Sequence, residues 1–599
     1  MSKASDRAEQ RARAPAPTGL TEAAMTAPIW LEGYDEGVPS TLEPYPDRTL
    51  LDYLSEAARN WPARPALLFK GSNISYRQLE EESDWLAAAF SNIGVKRGDR
   101  VALCLPNCPQ FMVAEFAAWK AGAIVCPFNP TYTDREIGEA LRATGADTVV
   151  VLNRFYGKVK SIQSMTSVKR VVATNIKEYL PFFLRIAYTF LKEKKEGDRI
   201  SLEDGDYRLS HLMRGFQSAG RPQARVSPAD PAVILMSGGT TGTPKGVVGL
   251  HRGMVVAGLQ LQSWLRPAMK EWTDTIMLPL PLFHTYANTG VQSLALINHN
   301  PIALIPNPRE IRDLLKEIIK VRPAFIATIP TLLNGIMNHP MAREGKIDFS
   351  SIKLCFSGAA PLMTETKKRF EELTGGVIVE GYSLTEAQMA VIANPVLGEK
   401  KIGSVGMPLP DVHVRIVDSE DGRTPVPQGE VGEIVIRAPQ LMHGYWQKPE
   451  ETRDMIRTDE RGDRVLYTGD LGYLDEDGYV FIVDRKKDLI KTSGYQVWPR
   501  EVEEVISSHP AVFEVGVVGV PDEMRGEAVK AWIVLRQGHT ATGPELKLFC
   551  RERLAPYKVP GKYEFVTELP KTQIGKVLYR VLRQQAAVRE EPVETGASP

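Results

Sequence analysis

A chain of 599 residues is longer than one hydrophobic core usually organises, so the sequence predicts several subdomains with a site where two of them meet. Its 43% hydrophobic and 24% charged residues exclude a disordered or fibrous protein. Lys plus Arg and Asp plus Glu both number 73, so no global field would hold the chain on nucleic acid or on an anionic membrane. Any anion site must therefore be local.

The cysteines and the N-terminus bear on the compartment. Five cysteines, an odd number without C-x-x-C spacing, predict reduced thiols in the cytoplasm, with no disulfide framework and no structural zinc. Residues 1–27 begin with a charged, Ala/Pro-rich stretch that lacks the apolar core of a signal peptide. We therefore expect a flexible tail at this end.

Alternating helix and strand patterns come first in chain order. From Leu50 to about Val151, helical stretches such as LLDYLSEAARNW alternate with short apolar strands such as RVALCL and TVVVL. This alternation predicts βα units around a largely parallel, doubly wound sheet, and it resumes after residue 230 as a second α/β half. Strands of this second half are predicted at Ala232–Met236, Ile302–Ile305, Phe325–Ile329, Lys353–Phe356 and Val377–Val379.

An apolar segment separates the two halves. Tyr179–Leu191 reads YLPFFLRIAYTFL, is interrupted by Arg185 and is too short to span a bilayer. Two interpretations stay open: an interfacial helix that gathers a lipid substrate, or a helix packed on the domain surface. Peripheral contact with the inner face of a membrane is left open accordingly.

The character of the chain changes after Gly403. Short strands separated by Gly/Pro turns predict a small β-barrel or a distorted sheet. From Asp488 onward, helices at Pro499–Ser508 and Pro544–Leu554 and strands at Val512–Val520 and Ala531–Leu535 predict a separate α+β unit. We place the domain boundary near Lys487.

The strongest chemical signal is the loop SGGTTGTPKG at residues 237–246, which directly follows a predicted buried strand. Its glycines let backbone N–H groups approach phosphate oxygens, its hydroxyls donate further hydrogen bonds, and Lys245 supplies a charge. It is not a Walker A loop, because Gly246 stands where Ser or Thr would follow the lysine. The alternative is a mere glycine-rich turn. The candidate nucleotide-binding residues are Ser237, Gly238, Gly239, Thr240, Thr241, Gly242 and Lys245.

This loop resembles the phosphate-binding signature of the acyl-adenylate-forming superfamily, which includes acyl-CoA synthetases, firefly luciferase and peptide-synthetase adenylation domains. Further motifs recur in the expected order from Leu50 to about Arg580, so the resemblance covers nearly the whole chain. It implies an α/β fold in which a large AMP-binding domain, residues 28–486, combines two doubly wound α/β subdomains with a distorted β-barrel. A hinge at Lys487, a small mobile α+β domain at 488–584 and a flexible tail at 585–599 would follow.

The motif GYSLTE follows the predicted strand VIVE and is expected to open a helix. By resemblance, Tyr382 would stack on or flank adenine, Thr385 would contact the α-phosphate, and Glu386 would bind Mg²⁺, with Thr240 as a second metal contact. Taken without the resemblance, Thr385 and Glu386 read equally well as a helix cap.

Two more motifs complete the nucleotide site. Asp470, in YTGD between two predicted strands, resembles the family's acceptor for ribose hydroxyls, with Arg485 as its cationic partner. The structural alternatives are a turn cap and a solvated linker. Gly358 and Ala359, in SGAAP, resemble the loop that admits flat or extended ligands, although a tight turn would read the same. His284, in PLFH, would gate the carboxylate end of the acyl tunnel.

The last constellation lies in the small domain. Lys576, in PKTQIGK, corresponds to the family's catalytic lysine, which would bridge the attacking carboxylate and the α-phosphate. The resemblance implies that the domain then rotates about Lys487 and presents the face carrying Lys491 and Gly494 for thioester formation.

The activity that the resemblance implies is an AMP-forming acid:CoA ligase. ATP, coenzyme A and Mg²⁺ would be required, and similarity to bacterial long-chain fatty-acid ligases, which includes the stretch from Pro28 to Pro46, favours a long-chain fatty acid. A medium-chain, aryl or other acid is the alternative, and a non-catalytic lipid-binding or scaffolding protein is a third class. Homodimerisation is left open.

Overall fold

The computed structural model describes residues 28–237, 245–360, 362–493, 495–522, 524–572 and 576–590. Residues 587–590 are described by their backbone alone. The predicted N-terminal tail, residues 1–27, lies outside these ranges. The described strands, in chain order, are β1 (Pro65–Phe69), β2 (Ser72–Ser75), β3 (Arg100–Cys104), β4 (Ile124–Pro127), β5 (Thr148–Leu152), β6 (Arg170–Thr174), β7 (Tyr207–Arg208), β8 (Pro231–Ser237), β9 (Lys245–Leu250), β10 (Ile276–Leu278), β11 (Ile302–Leu304), β12 (Phe325–Thr328), β13 (Leu354–Ser357), β14 (Val377–Leu384), β15 (Met389–Ala393), β16 (Ser404–Pro408), β17 (His413–Val417), β18 (Gly432–Arg437), β19 (Gly444–Tyr445), β20 (Ile456–Thr458), β21 (Arg464–Leu474), β22 (Val480–Arg485), β23 (Ile490–Thr492), β24 (Tyr495–Val497), β25 (Val512–Asp522), β26 (Gly526–Leu535) and β27 (Lys562–Phe565).

The described α-helices lie between these strands. They are α1 (Leu50–Asn60), α2 (Tyr76–Asn92), α3 (Pro109–Lys120), α4 (Asp134–Thr144), α5 (Tyr156–Ile162), α6 (Phe182–Leu191), α7 (Leu209–Gly215), α8 (His251–Leu265), α9 (Ser293–Ile297), α10 (Ile311–Val321), α11 (Pro330–Asn338), α12 (Pro340–Arg343), α13 (Thr364–Thr374), α14 (Pro449–Met455), α15 (Pro499–Ser507), α16 (Gly543–Arg551) and α17 (Tyr579–Glu590).

Local sequence explains where the helices begin and end. At α4, the Thr133 N–H donates to Glu136 Oε2 at 2.8 Å and the Glu136 N–H donates to Thr133 Oγ1 at 3.3 Å, a reciprocal capping box. The same helix ends at Gly145, whose φ of +63° closes the last turn in the left-handed conformation. Helix α3 is buried along its whole length; its sequence is mostly apolar, and its polar residues Gln110, Glu115 and Lys120 are buried as well.

The predicted α/β architecture is confirmed by two large sheets. One contains eight described strands in the order β19-β9-β8-β4-β3-β5-β6-β7, parallel from β8 to β7 and antiparallel at the β8–β9 and β9–β19 pairs. A shared core joins α1, α2, α3 and α8 to this sheet and to its larger neighbour. The two sheets therefore share one continuous hydrophobic core.

The larger sheet follows the order β17-β18-β21-β22-β16-β15-β14-β13-β12-β10-β11-β1-β2, with β20 added beside β21. Strands β10 to β14 are parallel where they pair, whereas β14 to β18 and β20 to β22 pair antiparallel. The short strands predicted after Gly403 thus extend the second α/β half as a distorted antiparallel sheet.

The C-terminal part is built around a smaller sheet, in which β24, β23, β26 and β25 are adjacent in that order and β27 pairs with β26. Helices α15 and α16 cover one face of this sheet, and α17 covers the other. Arg500 of α15 contacts the large domain, because its backbone N–H donates to Asp484 Oδ2 at 3.1 Å and its guanidinium donates to the Ile482 carbonyl at 2.8 Å. Helix α17 continues to Glu590, past the predicted boundary at residue 584.

Among the described residues, no helix is both long and apolar enough to cross a bilayer. The five cysteines are buried free thiols.

Candidate active site

Parallel strand ends bring the predicted motifs to one edge of the large sheet. Strand β13 ends at Ser357 and is followed by Gly358 and Ala359, and the neighbouring β14 carries Tyr382. Ala359 has a φ of +67°, and a Cβ on Gly358 would lie 3.3 Å from the Gly381 carbonyl oxygen. This edge, at the carboxyl ends of parallel strands, is where α/β sheets commonly bind ligands.

Asp470 contacts Tyr382 and Arg485, the two residues that were predicted to form the nucleotide site with it. The Tyr382 hydroxyl donates a hydrogen bond to Asp470 Oδ2, and Arg485 Nε lies 3.0 Å from Asp470 Oδ1. The prediction that Asp470 lies in a loop between two strands is wrong. Asp470 lies within β21, opposite Arg485 of β22. The strand continues through the turn-like TGD sequence because Gly469 adopts a φ of +69° and a bulge follows at Leu471.

Glu386 does not open a helix, contrary to the prediction. Thr385–Ala387 form a single 3₁₀ turn, which Gln388 ends in the left-handed conformation with a φ of +54°. The physical reason is that β14 runs on to Leu384 and folds back against β15 as an antiparallel pair, so the chain has room for one turn only. The carboxylate is partly exposed, as a ligand-binding group needs to be.

A residue that the sequence reasoning missed connects Glu386 to Lys245. The Tyr445 hydroxyl donates to Glu386 Oε1 at 2.8 Å, and Lys245 Nζ lies 4.9 Å from the centroid of the Tyr445 ring. Tyr445 reaches this position because β19 pairs with β9, which begins at Lys245. Burial and the neighbouring carboxylate raise the pKa of Tyr445, so its hydroxyl remains a donor. An isolated aromatic residue in a turn-rich stretch carries no sequence signal for this role.

Glu386 is a suitable ligand for Mg²⁺. Its Oε2 atom makes no hydrogen bond within the described part of the chain, and a single carboxylate together with substrate phosphates is the usual way that proteins hold Mg²⁺. No cluster of three or more His, Cys, Asp or Glu side chains with metal-site geometry occurs among the described residues. A metal held mainly by the nucleotide fits this arrangement.

His284 lies at the start of an unusual helical segment. Tyr286–Gln292 form a π-helix directly after it, a rare geometry that is often found at functional sites. The Tyr286 N–H donates to His284 Nδ1 at 3.3 Å, and the Tyr286 hydroxyl donates to the Phe356 carbonyl at 2.6 Å on β13. Burial, followed by the charge of Lys576, lowers the pKa of His284 to about 4, so the imidazole is neutral at pH 7.

Lys576, in the C-terminal part of the chain, interacts electrostatically with His284, Arg485 and Asp470. Burial, followed by the charge of Arg485, lowers the pKa of Lys576 to about 8, and Asp470 acts in the opposite direction. The Lys576 N–H donates to Thr572 Oγ1 at 3.1 Å, and the Thr572 N–H donates to the Lys576 carbonyl at 2.8 Å. The same ammonium therefore lies within electrostatic reach of His284 and of the Asp470–Arg485 pair.

The remaining predicted residues belong to the two ends of the phosphate-loop segment and to the region around Lys487. Ser237 and Lys245 face each other as the last and first residues of β8 and β9. The residues predicted to bind phosphate between them, Gly238, Gly239, Thr240, Thr241 and Gly242, lie outside the described residues, as does Gly494. Lys487, the predicted hinge, is exposed between β22 and β23, and Lys491 is exposed on β23.

Comparison with known proteins decides the family. The sequence profile described as AMP-binding enzyme matches residues 54–446, and that of the AMP-binding enzyme C-terminal domain matches residues 501–576. The chain belongs to the AMP-binding enzyme family. The first match includes Lys245 and Glu386, the second includes Lys576, and the Asp470–Arg485 pair lies between them.

Relatives within the family are similar over almost their whole length. The chain is 38% identical to a long-chain-fatty-acid–CoA ligase of Bacillus subtilis, covering 93% of this chain and 98% of the relative. It is 36% identical, with the same coverage, to a long-chain-fatty-acid–CoA ligase of Escherichia coli. The crystal structure of ATP-bound MatB from Rhodopseudomonas palustris matches with a TM-score of 0.75 at 28% identity, covering 89% of this chain and 98% of that chain.

Proposed function

We propose that this family member is an AMP-forming fatty-acid:CoA ligase that activates a long-chain fatty acid with ATP. The observation that carries the proposal is the Asp470 carboxylate, which Arg485 and Tyr382 hold between them, with Lys576 of the C-terminal part near enough for Arg485 and Asp470 to shift its pKa. The names of the relatives in B. subtilis and E. coli support the choice of acid and of coenzyme A.

The first step makes a mixed anhydride. A carboxylate oxygen of the fatty acid attacks the α-phosphorus of ATP, the bond to the bridging oxygen breaks, and pyrophosphate leaves with the electron pair. Lys576 stabilises the negative charge that develops on the α-phosphate and the attacking carboxylate. Lys245 and the loop 237–242 hold the β- and γ-phosphates, while Thr385 contacts the α-phosphate.

The same site orients the rest of the nucleotide. Asp470 accepts hydrogen bonds from the ribose hydroxyls, and Arg485 and Tyr382 fix the position of its carboxylate through the contacts described above. Tyr382, Gly358 and Ala359 form the walls against which adenine packs. His284, neutral at pH 7, lines the carboxylate end of the acyl site without repelling the Lys576 ammonium.

Mg²⁺ bound to Glu386 would screen the repulsion between the phosphate oxygens and the incoming carboxylate. Thr240 would be its second protein contact. The chain's own contribution is to hold Glu386 in place, which it does through the hydrogen bond from Tyr445.

The second step forms the thioester. The sulfur of coenzyme A attacks the carbonyl carbon of the acyl adenylate, and the bond to the phosphate oxygen breaks to release AMP. Rotation of the small domain about Lys487 would withdraw Lys576 and bring Lys491 and Gly494 to the site. Closure in both states excludes water, which would hydrolyse the anhydride.

One assay tests both the acceptor and the acid. Purified protein is given ATP, Mg²⁺, coenzyme A and a panel of saturated acids of increasing chain length together with an aryl acid, and AMP formation is measured. AMP release that needs coenzyme A and is fastest with long-chain acids supports the proposal. A maximum with medium-chain or aryl acids selects the alternative, and no AMP with any acid contradicts the enzyme class.

We also propose that the enzyme acts in the cytoplasm, which its five free thiols favour. Whether the chain forms a homodimer, which the sequence left open, is tested by sedimentation equilibrium.

A further inference from the structure

Helix α6, residues Phe182–Leu191, presents its apolar side to solvent. None of its ten residues is buried. Exposed fractions are 82% for Phe183 and Phe190, 75% for Leu191, 62% for Phe182 and 42% for Ile186. Because helix positions three, four and seven apart share a face, these five side chains lie on one half of the helix surface.

Tyr188 and Thr189, on the opposite side of α6, face the protein instead. The Tyr188 hydroxyl donates to Asp198 Oδ2, an atom of a fully buried carboxylate, and accepts from Arg154 at 3.0 Å. Lys177 Nζ donates to Thr189 Oγ1 at 3.3 Å. The orientation is therefore the reverse of an ordinary surface helix, which buries its apolar side.

The segment that holds α6 is firmly attached. Tyr179 donates to Glu82 of α2, and Leu180 packs against the main core. Since the helix is anchored through these residues and through Tyr188, its apolar side is presented on a rigid support. A contiguous exposed apolar surface of this kind marks a contact site.

Charge around α6 indicates what covers it. Lys192, Lys194 and Lys195 follow the helix directly, are exposed, and make no ion pair within the described part of the chain. The acidic residues of the same stretch are all paired with cations: the buried Glu193 with Lys177 at 2.6 Å, the buried Asp198 with Arg154, and the exposed Glu196 with Arg154 at 3.2 Å. The outward surplus is therefore cationic, although the whole chain has no net charge.

Further cations extend this charge to the other end of the helix. Arg185 is exposed on α6 itself and makes no ion pair with the described residues. The Lys320 ammonium and the Pro181 ring both lie against Gly71, so an exposed lysine of α10 stands beside the start of α6. Cations thus flank the apolar surface on two sides.

We propose that α6 and Lys192, Lys194 and Lys195 form a docking surface for a membrane that contains anionic phospholipids. The helix is too short to span a bilayer, so it lies in the interface with Phe183 and Phe190 among the acyl chains and the lysines among the headgroup phosphates. A second copy of the chain is the weaker occupant, because it would bring the same unneutralised cations to the contact.

The test is co-sedimentation of the purified full-length chain with vesicles of phosphatidylcholine containing about 30 mol% phosphatidylglycerol, compared with pure phosphatidylcholine vesicles. Three variants are compared with the wild type: Phe183→Ser/Phe190→Ser, Lys192→Ser/Lys194→Ser/Lys195→Ser, and the matched control Leu397→Ser/Ile402→Ser. The control removes two exposed apolar side chains, 68% and 78% exposed, from the loop between β15 and β16.

The wild type and the control are expected to sediment with the anionic vesicles. The phenylalanine variant should bind them at least about 10-fold more weakly because it loses buried apolar area. The lysine variant should lose on the order of 100-fold on anionic vesicles and little on neutral ones. All variants should keep the wild-type melting temperature, because each altered side chain is exposed.

Two results would overturn the proposal. One is vesicle binding by the phenylalanine variant equal to that of the wild type. The other is a wild type that ignores vesicles and forms a dimer that Phe183→Ser/Phe190→Ser dissociates, which would assign the surface to a second copy. Vesicle binding requires no turnover, so neither result depends on whether the chain is a ligase.

Discussion

Tyr382 and Asp470 are 88 positions apart in the chain, yet the hydroxyl of the first donates a hydrogen bond to the carboxylate of the second. Arg485 contacts the other carboxylate oxygen at 3.0 Å, so Asp470 is held from two sides before any nucleotide binds. A carboxylate fixed in this way loses little conformational entropy when it accepts ribose hydroxyls.

This relationship predicts unequal effects of two substitutions. Asp470→Asn removes the charged acceptor and should raise the KM for ATP by on the order of 10- to 100-fold, since a hydrogen bond to a charged group contributes about 1.5–3 kcal/mol. Tyr382→Phe keeps Asp470 and the aromatic ring and should raise the KM for ATP less. Initial rates at varied ATP test this order, and a larger defect in Tyr382→Phe would contradict the role given to Asp470.

Tyr445 is expected to act through Glu386. Tyr445→Phe leaves the ring beside Lys245 and removes the hydroxyl that donates to Glu386 Oε1. The Mg²⁺ concentration for half-maximal activity should rise several-fold, while the KM for the acid stays unchanged. A magnesium titration of activity checks this expectation. Equal shifts in the magnesium requirement and in the KM for the acid would point to general distortion of the site instead.

Asp470 and Arg485 show which features of the site could be predicted from the sequence and which could not. The Asp470–Arg485 partnership was predictable because a motif marks each residue, and the structure pairs their side chains. That Asp470 lies inside β21 was not predictable, because glycine at a turn-like TGD sequence ordinarily reads as the end of a strand. Only the pairing of β21 with β18 and β22 overrides this local signal.

Three further features of the site have no signal in the local sequence and depend on tertiary contacts. The single turn at Thr385–Ala387 depends on β14 pairing with β15, and the position of Tyr445 depends on β19 pairing with β9. The π-helix at Tyr286–Gln292 depends on the buried Glu115, which accepts hydrogen bonds from Asn288 at 2.7 Å and from Gln292 at 2.6 Å. Contacts between residues so far apart in the chain cannot be predicted from the local sequence pattern.

The pKa of Lys576 predicts a pH dependence for the first half-reaction. Its lowered value of about 8 means that the ammonium is mostly charged at pH 7 and is lost as the pH rises through about 8. Fatty-acid-dependent ATP–pyrophosphate exchange, which involves no coenzyme A thiol, should fall over the same range. Lys576→Arg, whose guanidinium stays charged, should be slower but should lack this alkaline limb. An identical limb in Lys576→Arg would assign the titration to another group.

Glu115 predicts a pH-dependent stability. Burial raises its pKa to about 7 from 4.5, so between these two values the folded chain holds a proton that the unfolded chain has released. Stability is therefore lost as the pH rises through this window, by up to about 1.4 kcal/mol per pH unit, and the loss ends above the folded pKa.

Glu115→Gln removes that titration and keeps the size of the side chain. The melting temperature of the wild type, compared with that of the variant at the same pH, should fall as the pH rises from about 5 to about 7.5. Differential scanning fluorimetry measures both melting temperatures. A gap between the two proteins that stays constant over this range would mean that the carboxyl group is already ionised in the folded state.

The central claim is that the two domains jointly assemble the adenylation site, with Lys576 as the contribution of the small domain. The most direct measurement compares the two half-reactions in Lys576→Ala. Fatty-acid-dependent ATP–pyrophosphate exchange should fall by at least on the order of 100-fold, whereas thioester formation from supplied acyl adenylate and coenzyme A should stay near the wild-type rate. Equal loss of both half-reactions, or no loss of exchange, would contradict the account.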